Sequence, residues 1–222
     1  MSRSVVLNKT PRCARCQLPP RWCVCAGFRT VSCPLAIDVL IHSREFFRPT
    51  STGRLINRVI PESRGHVYRY DLPLNQSAMV RPERVLWILH PQGEPMPTDV
   101  SPSSLQVLLL DGSWREAARM RQGVEGWGRL VSLPMTGESR YHLRNQQGVG
   151  KFSTIEALLF LFAALGLNAE HAQLRLQFEL HVYAGLRSRG EKMAAAEFLA
   201  DSPVRTALPE LVEQMNRFRS NE

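Results

Sequence analysis

One stretch restricts the possible folds more than any other: Leu108-Leu109-Leu110-Asp111-Gly112-Ser113-Trp114-Arg115-Glu116-Ala117. The apolar run from Gln106 to Leu110 reads as a buried strand. Asp111-Gly112 is the turn that ends it. Ser113, followed three residues later by Glu116, is a capping box that opens a helix. A strand that hands the chain to a helix through a tight turn belongs to α/β proteins, which bind ligands at the carboxyl ends of their strands. The turn offers a carboxylate, the free N–H groups of a helix start and an indole at one point. An ordinary structural joint, with Asp111 as turn former and Trp114 as core anchor, fits the same residues.

The flanking segments repeat this alternation. Leu35 to His42 reads as a first buried strand, followed by Ser51-Thr52-Gly53 at a helix start, where hydroxyls and a glycine backbone suit an anion or a plain N-cap. Val67 to Tyr70 predicts a second strand and Val85 to His90 a third. Prolines from Pro91 to Pro102 mark a loop. A helix runs from Ser113 to about Arg121, and Leu130 to Leu133 is the last strand. Ser153-Thr154-Ile155-Glu156 is a second capping box before an apolar helix ending near Gly166. A longer helix spans about Ala169 to Leu186, with Leu174, Phe178 and Val182 on one face. The tail, Ala194 to Leu199 and Leu208 to Phe218, reads as amphipathic surface helix. These elements predict an α/β domain with a mostly parallel sheet.

Four of the five cysteines fall within thirteen residues, as Cys13-Ala14-Arg15-Cys16 and Cys23-Val24-Cys25. Four thiolates complete a tetrahedral zinc shell, and a Cys-x-x-Cys turn presents two sulfurs to one ion. The second pair has one intervening residue instead of two, and free thiols in a reduced loop are the alternative. With no export signal, the cluster points to a metal site and a cytoplasmic setting over a disulfide framework. The division expected is 1–30, a basic lead and zinc knuckle, and 31–222, the main domain. Cys33 lies outside the cluster and reads as a small buried residue. The longest apolar run, Ala157 to Leu167, is too short to span a bilayer.

Charge points to the partner. Net charge is +8, and residues 1–151 carry 21 Lys/Arg against 11 Asp/Glu, whereas 152–222 carry 7 against 9. A basic surplus confined to the motif-bearing part of the chain fits a polyanion. Arg12, Arg15, Arg21 and Arg29 surround the cysteines with no acid before Asp38, a pattern suited to a phosphate backbone. The segment Ser139 to Gln147, with Arg140, Tyr141 and Arg144, interleaves cations with an aromatic ring, which suits single-stranded RNA.

Several motifs then occur in a fixed order: Cys-x-x-Cys-x-Leu-Pro with Cys-x-Cys, Thr-Gly-Arg-Leu, Leu-Asp-Gly-Ser-Trp-x-x-Ala, Ser-x-Tyr-x-Leu-Arg and Ser-Thr-x-Glu-Ala. Together, over about residues 13–165, the chain resembles the DTW-domain family, the tRNA-uridine aminocarboxypropyltransferases. Asp111, Gly112, Ser113 and Trp114 stand on the family's Asp-x-Thr-Trp signature. Ser113 replaces the usual threonine and keeps the hydroxyl. Ser51 stands where asparagine is common before Thr-Gly, and Ser-Arg-Glu follows His42 where many members have Pro-x-Glu.

The resemblance implies a SPOUT-like fold with a knotted C-terminal half that cradles S-adenosylmethionine. It implies transfer of the 3-amino-3-carboxypropyl group from that co-substrate to N3 of a tRNA uridine, commonly the variable-loop uridine at position 47, with release of 5′-methylthioadenosine. Asp111 is then the catalytic residue. A helix N-terminus beside it favours negative charge, and hence orientation of the uracil over proton abstraction. Thr52, Gly53, Gly112, Ser113, Trp114, Ser153 and Thr154 are expected around the co-substrate, and Arg12, Arg15, Arg54, Arg140, Tyr141 and Arg144 around the RNA. Cys13, Cys16, Cys23 and Cys25 are expected to hold structural zinc. A SPOUT-like RNA methyltransferase and a non-catalytic zinc-knuckle RNA-binding protein are the rivals. Oligomeric state stays open, with a monomer slightly favoured.

Overall fold

The computed structural model describes residues 11–144 and 150–217, which form two compact units. Ten residues of the basic lead, Asn145, Gln146 and Gln147 of the donor-rich segment, and Phe218 of the tail lie outside the described residues.

The first unit, 30–139 with 150–171, holds a five-stranded sheet in the order β2-β1-β4-β3-β5. The strands are β1 (Ala36–His42), β2 (Arg64–Tyr68), β3 (Val85–Pro95), β4 (Leu105–Asp111) and β5 (Arg129–Ser132), and every pairing is parallel. The helices are α1 (Ser43–Phe46), α2 (Thr52–Val59), α3 (Gln76–Met79), α4 (Trp114–Gly123) and α5 (Thr154–Ala164). Central strands β1 and β4 are buried almost throughout, as their largely apolar runs, broken by Asp38 and Gln106, require of a parallel sheet covered on both faces. On one face Leu40, Leu86, Ile88 and Leu108 pack with Met120 and Val124, which places α4 there. Each such side chain contributes about 1.5–3 kcal/mol on burial. Helix α2 packs on β1, and α5 on β4 and α2.

Two strands depart from expectation. Strand β2 begins three residues early, at Arg64, and stops at Tyr68, leaving Tyr70 outside the sheet. The reason is a polar cluster that no apolar period reveals. Buried Asp38 on β1 accepts from Arg64 Nε at 2.9 Å and from Gln106 Nε2 at 2.8 Å, and lies 2.7 Å from His66 Nε2. Strand β3 runs past Pro91 to Pro95 through a bulge between Leu89 and Glu94. Proline is tolerated there because pairing with β4 ends at Ile88, so no ladder donor is needed on that side. Gly93 lets the bulge close: a Cβ at this position would lie 2.5 Å from the Val131 backbone.

The second unit gathers 11–29, 140–144 and 172–217. Its helices are α6 (Asn168–Ser188, whose first turn belongs to the other unit), α7 (Lys192–Ala200), α8 (Val204–Ala207) and α9 (Pro209–Asn216). Leu174, Phe178 and Val182 are buried on α6, as their spacing predicts. Buried Gln177 fastens the cysteine segment to this helix. Its amide donates to the Gly27 carbonyl at 3.2 Å, and its oxygen accepts from the Arg29 N–H at 3.2 Å. The Tyr183 hydroxyl reaches Asn216 on α9 at 3.0 Å.

Candidate functional site

Strand β4 delivers Asp111 to the carboxyl edge of the sheet, where the carboxylate is 5% exposed. Three hydroxyls converge on it. Ser51 Oγ donates to Oδ2 at 2.9 Å, Thr154 Oγ1 to Oδ1 at 2.6 Å, and Thr52 Oγ1 lies 3.4 Å from Oδ1. These hydroxyls come from the starts of α2 and α5, while Asp111 itself precedes the start of α4. The amino ends of three helices therefore meet at one carboxylate. Their dipoles and unpaired N–H groups favour negative charge at this spot. Gly53 permits the approach, since a Cβ there would sit 2.7 Å from Asp111 Oδ2 and 2.8 Å from its Cβ.

Both capping boxes read from the sequence are present. Glu116 Oε2 accepts from the Ser113 N–H and hydroxyl, each at 2.8 Å. Glu156 Oε2 accepts from the Ser153 N–H and hydroxyl, each at 2.7 Å. Glu156 also receives the Ser139 hydroxyl at 2.9 Å. Gly112 fits beneath the first turn of α4, where a Cβ would lie 2.9 Å from the Glu116 Cβ. Trp114 is 51% exposed, so it does not anchor α4 in the core and leaves its ring accessible. Thr52, Gly53, Gly112, Ser113, Ser153 and Thr154, drawn from three distant segments, are thus gathered about Asp111.

Two contributors lie outside the set of site residues expected from the sequence. Ser51 reads in the sequence as part of an anion-binding helix start or as an N-cap, and in the structure it gives Asp111 one of its two shorter hydrogen bonds. His42, at the end of β1, has Nδ1 3.2 Å from Glu116 Oε1, and its ring lies 5.8 Å from that of Tyr68. Burial pushes the Glu116 carboxyl up, but hydrogen bonds from Ser113 and the charges of His42 and Arg44 outweigh it and hold the group low.

In the other unit, the Cys13, Cys16, Cys23 and Cys25 sulfurs all lie within 4.8 Å of one another. Cys13 and Cys25 are 3.6 Å apart, and Cys16 and Cys23 3.7 Å. A zinc ion bonded at 2.3 Å to four sulfurs implies edges of about 3.8 Å, so the quartet has the size and donor set of a tetrahedral zinc site. The one-residue spacing of Cys23 and Cys25 is accommodated by two short helical turns, Pro20–Trp22 and Cys25–Gly27. Backbone N–H groups of Cys16 and Arg15 hold the Cys13 thiol down at about 6, while burial pushes Cys16 and Cys25 up. Cys33 stands apart, its thiol directed to the Leu35 carbonyl and pushed up by burial to about 11.

The remaining predicted residues are placed as follows. Arg12 donates to the Gln17 carbonyl, and the Arg15 guanidinium lies 4.1 Å from the Phe28 ring centroid. Arg54 donates to the Phe46 carbonyl. Arg140 pairs with buried Glu179 at 2.9 Å and covers the Phe198 ring. Tyr141 is buried, its ring 6.3 Å from that of Phe178, with Arg144 above it. Among the described residues no helix is long and apolar enough to cross a membrane.

A family model described as the DTW domain matches residues 10–185. No solved structure matches the chain.

Proposed function

Because this chain belongs to the DTW-domain family, the tRNA-uridine aminocarboxypropyltransferase family, we propose that it transfers the 3-amino-3-carboxypropyl group of S-adenosylmethionine to N3 of a tRNA uridine. The product is 3-(3-amino-3-carboxypropyl)uridine, with 5′-methylthioadenosine released, and the variable-loop uridine at position 47 is the proposed target. The observation that carries the reading is the gathering of three helix starts, each bearing the family's hydroxyl or glycine residues, around one buried carboxylate.

The residues fit the reactants. A methionyl carboxylate suits the backbone N–H groups of the helix amino ends at Thr52, Gly53, Gly112, Ser113, Ser153 and Thr154. The exposed Trp114 ring suits stacking on adenine or uracil. A sulfonium is itself a good leaving group, so alignment of donor and acceptor carries much of the acceleration. Asp111 already accepts from three hydroxyls, which favours a carboxylate that orients the uracil imide over one that removes its proton. RNA contact is proposed for Arg12, Arg15, Arg54, Arg140 and Arg144, with Tyr141 in the same loop. Zinc in the cysteine quartet shapes the knuckle over residues 1–30. Residues 31–222 form the transferase domain, with the knotted SPOUT-like C-terminal half that the family implies. A cytoplasmic location and a monomeric state complete the proposal.

The test incubates the protein with unmodified tRNA and S-adenosylmethionine, followed by mass spectrometry of the nucleosides. A uridine heavier by one aminocarboxypropyl group supports the proposal. A methyl group in its place makes the protein a methyltransferase, and tRNA binding with no modified nucleoside makes it a binding protein.

A further inference from the structure

We propose that the carboxyl rim of the sheet is a stacking platform for unpaired RNA bases, built from Phe47, Tyr70 and Trp114, with Arg44 and Arg115 contacting phosphates. The proposal rests on RNA being the partner, as the family implies. Apart from Trp114, already proposed to stack on adenine or uracil, it assigns that RNA a surface outside the residues given roles above.

Three neighbouring strands create the platform. β2, β1 and β4 stand side by side, and the pairs His42↔Tyr68 and Ile41↔Asp111 set their carboxyl ends level. Strands lie about 4.8 Å apart, so the three exits span roughly 10 Å. Phe47 follows α1 beyond the end of β1, Tyr70 lies two residues beyond β2, and Trp114 three beyond β4. They are 78%, 82% and 51% exposed, and among the described residues they are the aromatic side chains that stand open to solvent. Exposed apolar side chains scattered singly are ordinary, whereas a group at one edge marks a binding surface. The edge is braced from behind. His42 contacts Glu116 of α4 and stacks near Tyr68 of β2, and Phe46 meets Phe47 edge to face at 5.3 Å.

Charge selects the occupant. Glu45 is buried and paired with Arg48, Asp71 is paired with Arg69, and Glu116 is taken by Ser113 and His42. Among the described residues Arg44 and Arg115 have no acidic partner within ion-pair distance, and both are exposed. The outward face is therefore aromatic and cationic. A second copy of this chain would oppose like charges across such a surface. Splayed bases and their phosphates satisfy both features, because every base has a π-face.

The test measures affinity of the full chain for an unmodified tRNA transcript across a range of salt concentrations. Phe47→Ala and Tyr70→Ala each weaken binding by about tenfold, in the range of one lost base–aromatic stack. They leave the salt dependence unchanged because no phosphate contact is lost. Tyr70→Phe retains full affinity, whereas Tyr70→Leu, apolar but without a π-face, binds as weakly as Tyr70→Ala. Arg44→Ala and Arg115→Ala each lower the slope of log K against log salt by about one. Thermal melts confirm that these exposed substitutions leave the fold intact. Unchanged affinity in both alanine variants overturns the proposal, as does full affinity in Tyr70→Leu. So does self-association of the wild type that the alanine variants abolish, since the rim is then an interface between copies. Nucleoside analysis keeps the two proposals separable. A platform that binds tRNA without an aminocarboxypropyl product leaves this inference standing and removes the proposed chemistry. Product formed with unchanged affinity in both alanine variants does the reverse.

Discussion

At Asp111, both carboxylate oxygens accept hydroxyl donors from helices that are far apart in the chain. Removing the carboxylate leaves three hydroxyls and three helix starts without their common acceptor. Asp111→Ala is therefore expected to lose at least about 100-fold in kcat through misplaced reactants, measured by nucleoside formation, with tRNA affinity retained. Asp111→Asn separates the two roles. An orienting residue keeps part of its function as an amide, whereas a general base keeps none. Gly53→Ala forces a methyl against the Asp111 side chain and should destabilise the protein by about 1–3 kcal/mol, read from thermal or denaturant melts. Thr52, Gly53, Ser113, Ser153 and Thr154 were legible in the sequence because caps leave a local signature. Ser51 shares that legibility as the cap of α2, but its bond to Asp111 is invisible to any local rule.

Among the elements, the edge strand β2 owes its position to Asp38. Burial pushes that carboxyl up, but hydrogen bonds from His66, Arg64 and Gln106 outweigh it and hold it below the ordinary carboxylate range. A depressed folded value means that stabilisation is complete above the unfolded value of about 3.9 and is lost as pH falls through the folded one. Stability should thus fall on acidification below about pH 4, and Asp38→Asn should flatten that decline while lowering stability at neutral pH. Asp38→Ala leaves the partly exposed Arg64, His66 and Arg81 and the buried Gln106 amide without their acceptor and is expected to cost about 1–3 kcal/mol, measured by denaturant titration. The strand's polar face also explains why periodicity misplaced it. Arg64 and His66 occupy positions where an apolar alternation would have announced a strand. Strands β1 and β4 are apolar apart from Asp38 and Gln106, and their apolar runs place their ends to within a residue.

For the whole molecule, the two units answer to different perturbations. The purified protein should carry one zinc per chain, lost in Cys16→Ser and Cys25→Ser, and metal analysis decides this. Lower pH should release the metal, because protons compete for the thiolates. Chelation should lower the melting transition of the unit that contains the cysteines, with less effect on the sheet, whose core includes none of them. Association with tRNA should weaken steeply as salt rises, since a chain of net charge +8 displaces counterions from phosphates.

The sequence alone determined the alternation of strands and helices, both capping boxes, the cysteine quartet, the basic bias and the family. Each is written in local spacing, in composition or in the order of short motifs along the chain. Tertiary structure decided which of these features meet. The hydrogen bonds to Asp111 join residues 60, 59 and 43 positions away, and they form because the strand order β2-β1-β4-β3-β5 sets the ends of β1 and β4 side by side. The same order brings Phe47, Tyr70 and Trp114 to one edge. No periodicity encodes strand order, which follows from how helices cover the two faces of the sheet.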